Sequence, residues 1–239
     1  MARALDTRQP EGLREYIYRH RVLVGNIIAF LGFLIIWIDP YAGVTMPRLI
    51  TGSLIGLVGF WIRIWASSYQ WPNIARDLPD ARTGLITAGP YAYMRHPIYV
   101  GLLLFTTGAF VGFGSWLAAV FVFVPTLILN LWQARYEESF LVQMHGEEAI
   151  RYQKHLPLML PKVWDPYPDR RGHFSLAQGI KYDIGPLSSF VCFVVVMLII
   201  TSKEIPTLSL TLVVLVGSVL FSFFLTWLVR FIFKQEFAG

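Results

Sequence analysis

Residues 97–131 read PIYVGLLLFTTGAFVGFGSWLAAVFVFVPTLILNL and hold no Asp, Glu, Lys or Arg. Two apolar runs make up this stretch, Pro97–Phe113 and Trp116–Leu131, and Gly112-Phe113-Gly114-Ser115 turns one into the other. At about 1.5 Å per residue each run covers roughly 25 Å as a helix, enough to cross a bilayer with its flanks. The turn carries no charge and two glycines, which predicts a tight helical hairpin. A segment of this kind fits a polytopic all-α membrane helix bundle, because only helices and closed barrels satisfy their backbone within lipid.

Outward from the hairpin, four further spans can be drawn. The first is Val22–Ile38, stopped by Asp39-Pro40, and the second is Leu49–Ser67, which carries Arg63 near its end. The fifth and sixth are Ile184–Thr201 and Leu208–Phe233. With about six spans both termini lie on one side, together with segments 68–96 and 132–183. Apart from Arg63, every Lys and Arg falls on that side except Arg48 and Lys203. Cytoplasmic loops carry the excess of Lys and Arg, so both termini are expected in the cytoplasm. Residues 1–21 carry five arginines and no short apolar core with a cleavage site, so they are expected to be no signal peptide. Leu13, Tyr16, Ile17 and His20 recur at helical spacing there, which predicts an amphipathic surface helix. The organisation expected is this segment, a membrane core over 22–161, then a cytoplasmic linker and two extra spans over 162–239.

Composition agrees. Of the 239 residues 55% are hydrophobic and 15% charged, against about 25% charged in an ordinary soluble domain. The net charge of +5 is spread between apolar runs, which argues against a nucleic-acid partner. The single cysteine, Cys192, sits in an apolar run and can build neither a disulfide framework nor a thiolate metal site. The five histidines show no zinc-ligand spacing, so no metal is expected, and there is no phosphate loop or dinucleotide glycine fingerprint.

Two polar segments stand out on the expected cytoplasmic side. In the first, Gly89-Pro90-Tyr91-Ala92-Tyr93-Met94-Arg95-His96-Pro97-Ile98-Tyr99-Val100-Gly101, Pro97 suits the first turn of a helix. His96 is then extended, just outside it, where backbone N–H groups favour an anion. Gly101 permits close approach of a neighbour. The second segment opens with Arg135-Tyr136-Glu137-Glu138 and runs through His145-Gly146, Tyr152 and His155 to Pro161. Adjacent carboxylates at the mouth of a span are costly unless solvated or paired; Arg135 and Glu138, three apart, could pair along a helix. One basic and one acidic constellation can hold a zwitterionic ligand between them. Arg63 either snorkels to the headgroups or faces the bundle interior.

These motifs resemble the isoprenylcysteine carboxyl methyltransferase family. The similarity lies in Leu85–Tyr91, Arg95–Gly101 and Arg135–Glu138, followed by Leu141, His145-Gly146, Tyr152 and Pro157, and in Ile62-Arg63-Ile64-Trp65-Ala66; it spans about residues 52–161. His145 stands where many members carry phenylalanine. The resemblance implies an integral membrane enzyme that binds S-adenosylmethionine between the cytoplasmic ends of its helices. It assigns Tyr91, Arg95, His96, Pro97, Tyr99, Gly101, Glu137, Glu138 and Tyr152 to cofactor binding, and Arg63, Arg135 and Glu138 to catalysis. The acceptor is expected to be lipid-like or prenyl-like, entering from the membrane lipids, in a bacterial inner membrane or the endoplasmic reticulum. Spans five and six would either shape the acceptor pocket or form a homodimer contact. Membrane sterol reductases share a similar Arg-His-Pro helix start and use NADPH, but carry arginine and aspartate where this chain has Glu137-Glu138. A non-enzymatic transporter or assembly protein is the remaining alternative.

Overall fold

The computed structural model describes residues 16–18, 20–70, 84–183 and 224. They form helices α1 (Arg21–Ile38), α2 (Met46–Ser67), α3 (Pro97–Gly112), α4 (Trp116–His145) and α5 (Glu147–His155), with a 3-10 turn at Gly89–Ala92. Residues 176–183 add a further helical stretch, and no strand occurs among the described residues. The first four expected spans coincide with α1–α4. The fifth and sixth, and most of the N-terminal segment, lie outside the described residues.

α4 is longer than its expected span. The apolar part ends near Leu131, and the helix runs on without a break through Glu137 and Glu138 to His145. Residues 132–145 contain neither glycine nor proline, and Gln, Ala, Arg and Glu are good helix formers. Gly146, at φ +54°, ends the helix where an L side chain would be strained. The 30-residue rod is about 45 Å long, half as long again as a bilayer's apolar core of about 30 Å. It therefore carries its carboxylates clear of the apolar zone.

At the other end the hairpin is as tight as expected. Ser115 caps α4 by accepting from the Ala118 N–H at 3.0 Å, and its hydroxyl donates to Asp39 at 2.6 Å. Arg48 closes the same end by donating to the carbonyls of Tyr41, Gly43 and Gly114. α2 and α3 meet backbone to backbone: a Cβ on Gly59 would lie 2.5 Å from the Phe105 nitrogen and 2.6 Å from the Gly101 carbonyl. Helices in lipid gain by such close approach, since lipid tails are as apolar as leucine.

Apolar side chains lie on the outside as well as in the core. Phe110, Val111 and Val122 pack inside, yet Phe30, Leu54, Trp61, Val120 and Ile128 are exposed, and Ser67, Ser68, Asn130, Gln133 and Asp183 are buried. α2 and α4 are each long and apolar enough to cross a membrane. An outward apolar belt of this extent is costly in water and favourable in lipid.

Candidate ligand site

Because α3 and α4 are joined by a short turn, the start of α3 lies beside the part of α4 that passes the apolar zone. This register brings Arg95 and His96 to Glu137 and Glu138. The residues before α3 are fixed from the other side by the chain returning from α5. Arg95 N donates to the Pro157 carbonyl at 3.2 Å, His96 N to Leu158 at 3.0 Å, and Lys162 N to Tyr93 at 2.9 Å. With their backbones tied outward, the Arg95 and His96 side chains are left for the interior.

The two neighbouring carboxylates are used differently. Glu137 Oε1 accepts from the Tyr99 hydroxyl at 2.7 Å and the Tyr18 hydroxyl at 3.0 Å, and Oε2 is 3.5 Å from His96 Nδ1. Asn130 donates to the Tyr99 carbonyl at 3.2 Å and steadies that turn of α3. Glu137 is thus committed to protein partners. Glu138 Oε1 lies 2.5 Å from Arg95 Nη1 and 3.4 Å from His96 Nε2. The charges touch, but none of these contacts is aligned as a hydrogen bond. Arg95 Nε, His96 Nε2 and Glu138 Oε1 are buried with no hydrogen-bond partner among the described residues. Each such atom ordinarily costs about 1–3 kcal/mol, so these three, on side chains in mutual contact, mark the cluster as a candidate for a polar ligand.

Burial opposes a charge on His96, but the neighbouring carboxylates of Glu137 and Glu138 outweigh it and raise its pKa above the ordinary imidazole value. His96 therefore stays protonated to higher pH than free imidazole, and its charge faces the two carboxylates.

The remaining expected residues divide. Pro97 is buried at the start of α3, and Gly101 lets that helix lie against the Arg63 backbone. Tyr152 is buried with Leu85 and Leu156 and donates to the Tyr91 carbonyl at 2.7 Å. Its hydroxyl thus holds the 3-10 turn. Arg135 is exposed and stands outside the cluster; Glu138 takes Arg95 as its partner. Arg63 pairs inward with Asp183 at 2.5 Å. Tyr18 and Asp183 were not anticipated. Asp183 immediately precedes an apolar run, and the cost of a carboxylate at such a boundary was the signal that could have found it.

The chain matches the phospholipid methyltransferase family over residues 47–148. It is 33% identical over 86 residues to the protein-S-isoprenylcysteine O-methyltransferase of Schizosaccharomyces pombe, covering 33% of this chain and 34% of that protein. It is 27% identical to the Homo sapiens enzyme of the same name, over 48% of this chain and 41% of the relative. Against protein-S-isoprenylcysteine O-methyltransferase B of Arabidopsis thaliana the identity is 25%, over 59% and 68%. The chain is thus similar, over part of its length, to phospholipid and isoprenylcysteine methyltransferases. It spans about a third to two fifths of the length of the yeast and human relatives. No solved structure matches it. The phospholipid methyltransferase match contains Arg63, Arg95, His96, Glu137 and Glu138, and it ends before Tyr152 and Asp183.

Proposed function

We propose that the protein is an integral membrane methyltransferase that uses S-adenosylmethionine and acts on a lipid-like or prenyl-like acceptor at the cytoplasmic face. The observation that carries this reading is the buried trio of Arg95 Nε, His96 Nε2 and Glu138 Oε1 without hydrogen-bond partners. S-adenosylmethionine has a carboxylate, an ammonium and a ribose diol, which match two cationic donors facing one carboxylate acceptor. Arg95 and His96 would take the ligand carboxylate, and Glu138 its ammonium or ribose hydroxyls. When bound, the cofactor supplies an electrophilic methyl group on sulfur.

Displacement at that methyl needs alignment more than acid–base help, so the chain contributes chiefly positioning. Tyr18 and Tyr99 fix Glu137, Glu137 faces His96, and His96 and Arg95 orient the ligand's charged end. A carboxylate acceptor is already anionic and needs no base. A thiol or amine would need one, and Glu138 is better suited than a histidine that holds its proton. The six-span topology with cytoplasmic termini is supported by the Lys and Arg distribution.

Calorimetry on the purified protein tests the reading. Saturable binding of S-adenosylmethionine and none of NADPH is the expected result; the reverse preference would establish the reductase alternative.

A further inference from the structure

The segment that follows the family-matched region is fastened to the site. The Arg171 carbonyl accepts from Thr87 N at 2.9 Å and Ala88 N at 3.0 Å, and Ser175 N donates to the Ser68 carbonyl at 2.8 Å. The Gln178 amide donates to the Gln70 carbonyl. Gly179 sits so close to the end of α2 that a Cβ there would overlap Ser68 Oγ and lie 2.9 Å from the Ile64 carbonyl. The stretch ends in Asp183, 1% exposed. Both of its oxygens are engaged, Oδ1 by Arg63 Nε and Oδ2 by Ser67 Oγ, each at 2.5 Å.

A buried ion pair is seldom a gain in stability over apolar residues of the same volume, so its presence calls for another reason. Arg63 lies against Gly101 on α3, where a Cβ would fall 2.9 Å from Arg63 Cβ; Gly101 is two residues beyond Tyr99, the donor to Glu137. Burial is the largest influence raising the Tyr91 hydroxyl pKa and Glu137 the next, and Asp183 and Arg63 both act on the same hydroxyl. The pair therefore borders the cluster already described. Beyond Nε a guanidinium carries two terminal NH2 groups, a planar fork that can pair with a carboxylate and that lysine cannot reproduce.

We propose that Asp183 is a positioning residue: by gripping Arg63 at Nε it presents the guanidinium to the carboxylate of the bound cofactor. The ligand site then extends beyond the family-matched region into residues 172–183. This inference rests on the methyltransferase reading above and adds a residue to its site.

The test replaces the pair as a unit in the full-length protein, Arg63→Met with Asp183→Leu, alongside Asp183→Asn alone. Calorimetry would compare S-adenosylmethionine with 5′-methylthioadenosine, which lacks the amino-acid carboxylate, and a thermal melt would report folding. The expected result is a double variant that melts like the parent and binds S-adenosylmethionine about tenfold more weakly or worse, with 5′-methylthioadenosine affinity unchanged. Asp183→Asn, if it folds, should show the same selective loss. Parental affinity in the folded double variant would overturn the proposal, and so would an equal loss for both ligands. A double variant that does not fold would make the pair part of the fold and overturn it as well. A parent that does not bind S-adenosylmethionine would remove the methyltransferase reading too, whereas a binding parent with an unaffected double variant removes only the role of Asp183.

Discussion

Glu137 and Glu138 are adjacent in sequence, and the structure predicts that their alanine variants fail in different ways. Glu137 accepts hydrogen bonds from two phenols, at 2.7 Å and 3.0 Å. A hydrogen bond to a charged group contributes about 1.5–3 kcal/mol, so Glu137→Ala should cost about 3 kcal/mol even at the low end for both. In a chain of this size about 1 kcal/mol moves the melting temperature by roughly 2–4 °C, which gives a drop of about 6–12 °C. Glu138 Oε1 accepts no aligned hydrogen bond; its contact is the ion pair with Arg95, and the two side chains keep 14% and 15% exposure. Glu138→Ala should therefore melt closer to the parent. It would remove the carboxylate reserved for the ligand and weaken S-adenosylmethionine binding by about ten- to a hundredfold, the equivalent of one charge-assisted contact. Melting curves and calorimetry on both variants read the two effects separately. A Glu138→Ala protein that binds like the parent, or a Glu137→Ala protein that melts like it, would refute the division of labour.

Other outcomes follow from separate features. With Cys192 replaced by serine, cysteines placed at His145 and Lys203 should be labelled from opposite sides of sealed vesicles; labelling from the same side would end the six-span topology. Gly101→Ala forces a Cβ to within 2.6 Å of the Gly59 carbonyl and should destabilise by about 1–3 kcal/mol through overpacking, so an unchanged melting temperature would contradict the close approach of α2 and α3. The raised pKa of His96 stabilises the folded state below pH 6.5, and that contribution is lost as pH rises through the higher folded value. The parent should lose melting temperature from pH 6.5 upward more steeply than His96→Gln, and parallel curves would show that His96 carries no such charge.

Much of the fold was legible because the signals were long and local. Four apolar runs marked α1–α4, and Pro97 and the uncharged turn at 113–115 fixed where α3 begins and how it meets α4. The facing of Arg95 and His96 with Glu137 and Glu138 could be inferred once both were placed on one side. What could not be read was which carboxylate is hydrogen-bonded within the protein and which is not, because that depends on side-chain direction. Tyr18 and Tyr99 reach Glu137 from separate elements, Tyr18 from 119 positions earlier in the chain, and no periodicity encodes that meeting. The inward turn of Arg63 was one of two alternatives the sequence left open, and what it meets there was hidden. Its partner Asp183 lies 120 residues away, and only the cost of an acidic group at a membrane boundary hinted at it.

α4 joins the lipid-embedded part of the protein to its carboxylates in one unbroken helix, with Pro125 inside it. Proline removes a helical hydrogen bond and is where helices most readily bend. From Pro125 to Glu138 the helix is a lever of about 20 Å, so a change of about 10° in bend would swing the carboxylate by about 3 Å. That displacement would separate Glu138 from Arg95. The thickness of the surrounding bilayer, which bears on how such a helix tilts and bends, would then bear on the contact between Glu138 and Arg95 as well.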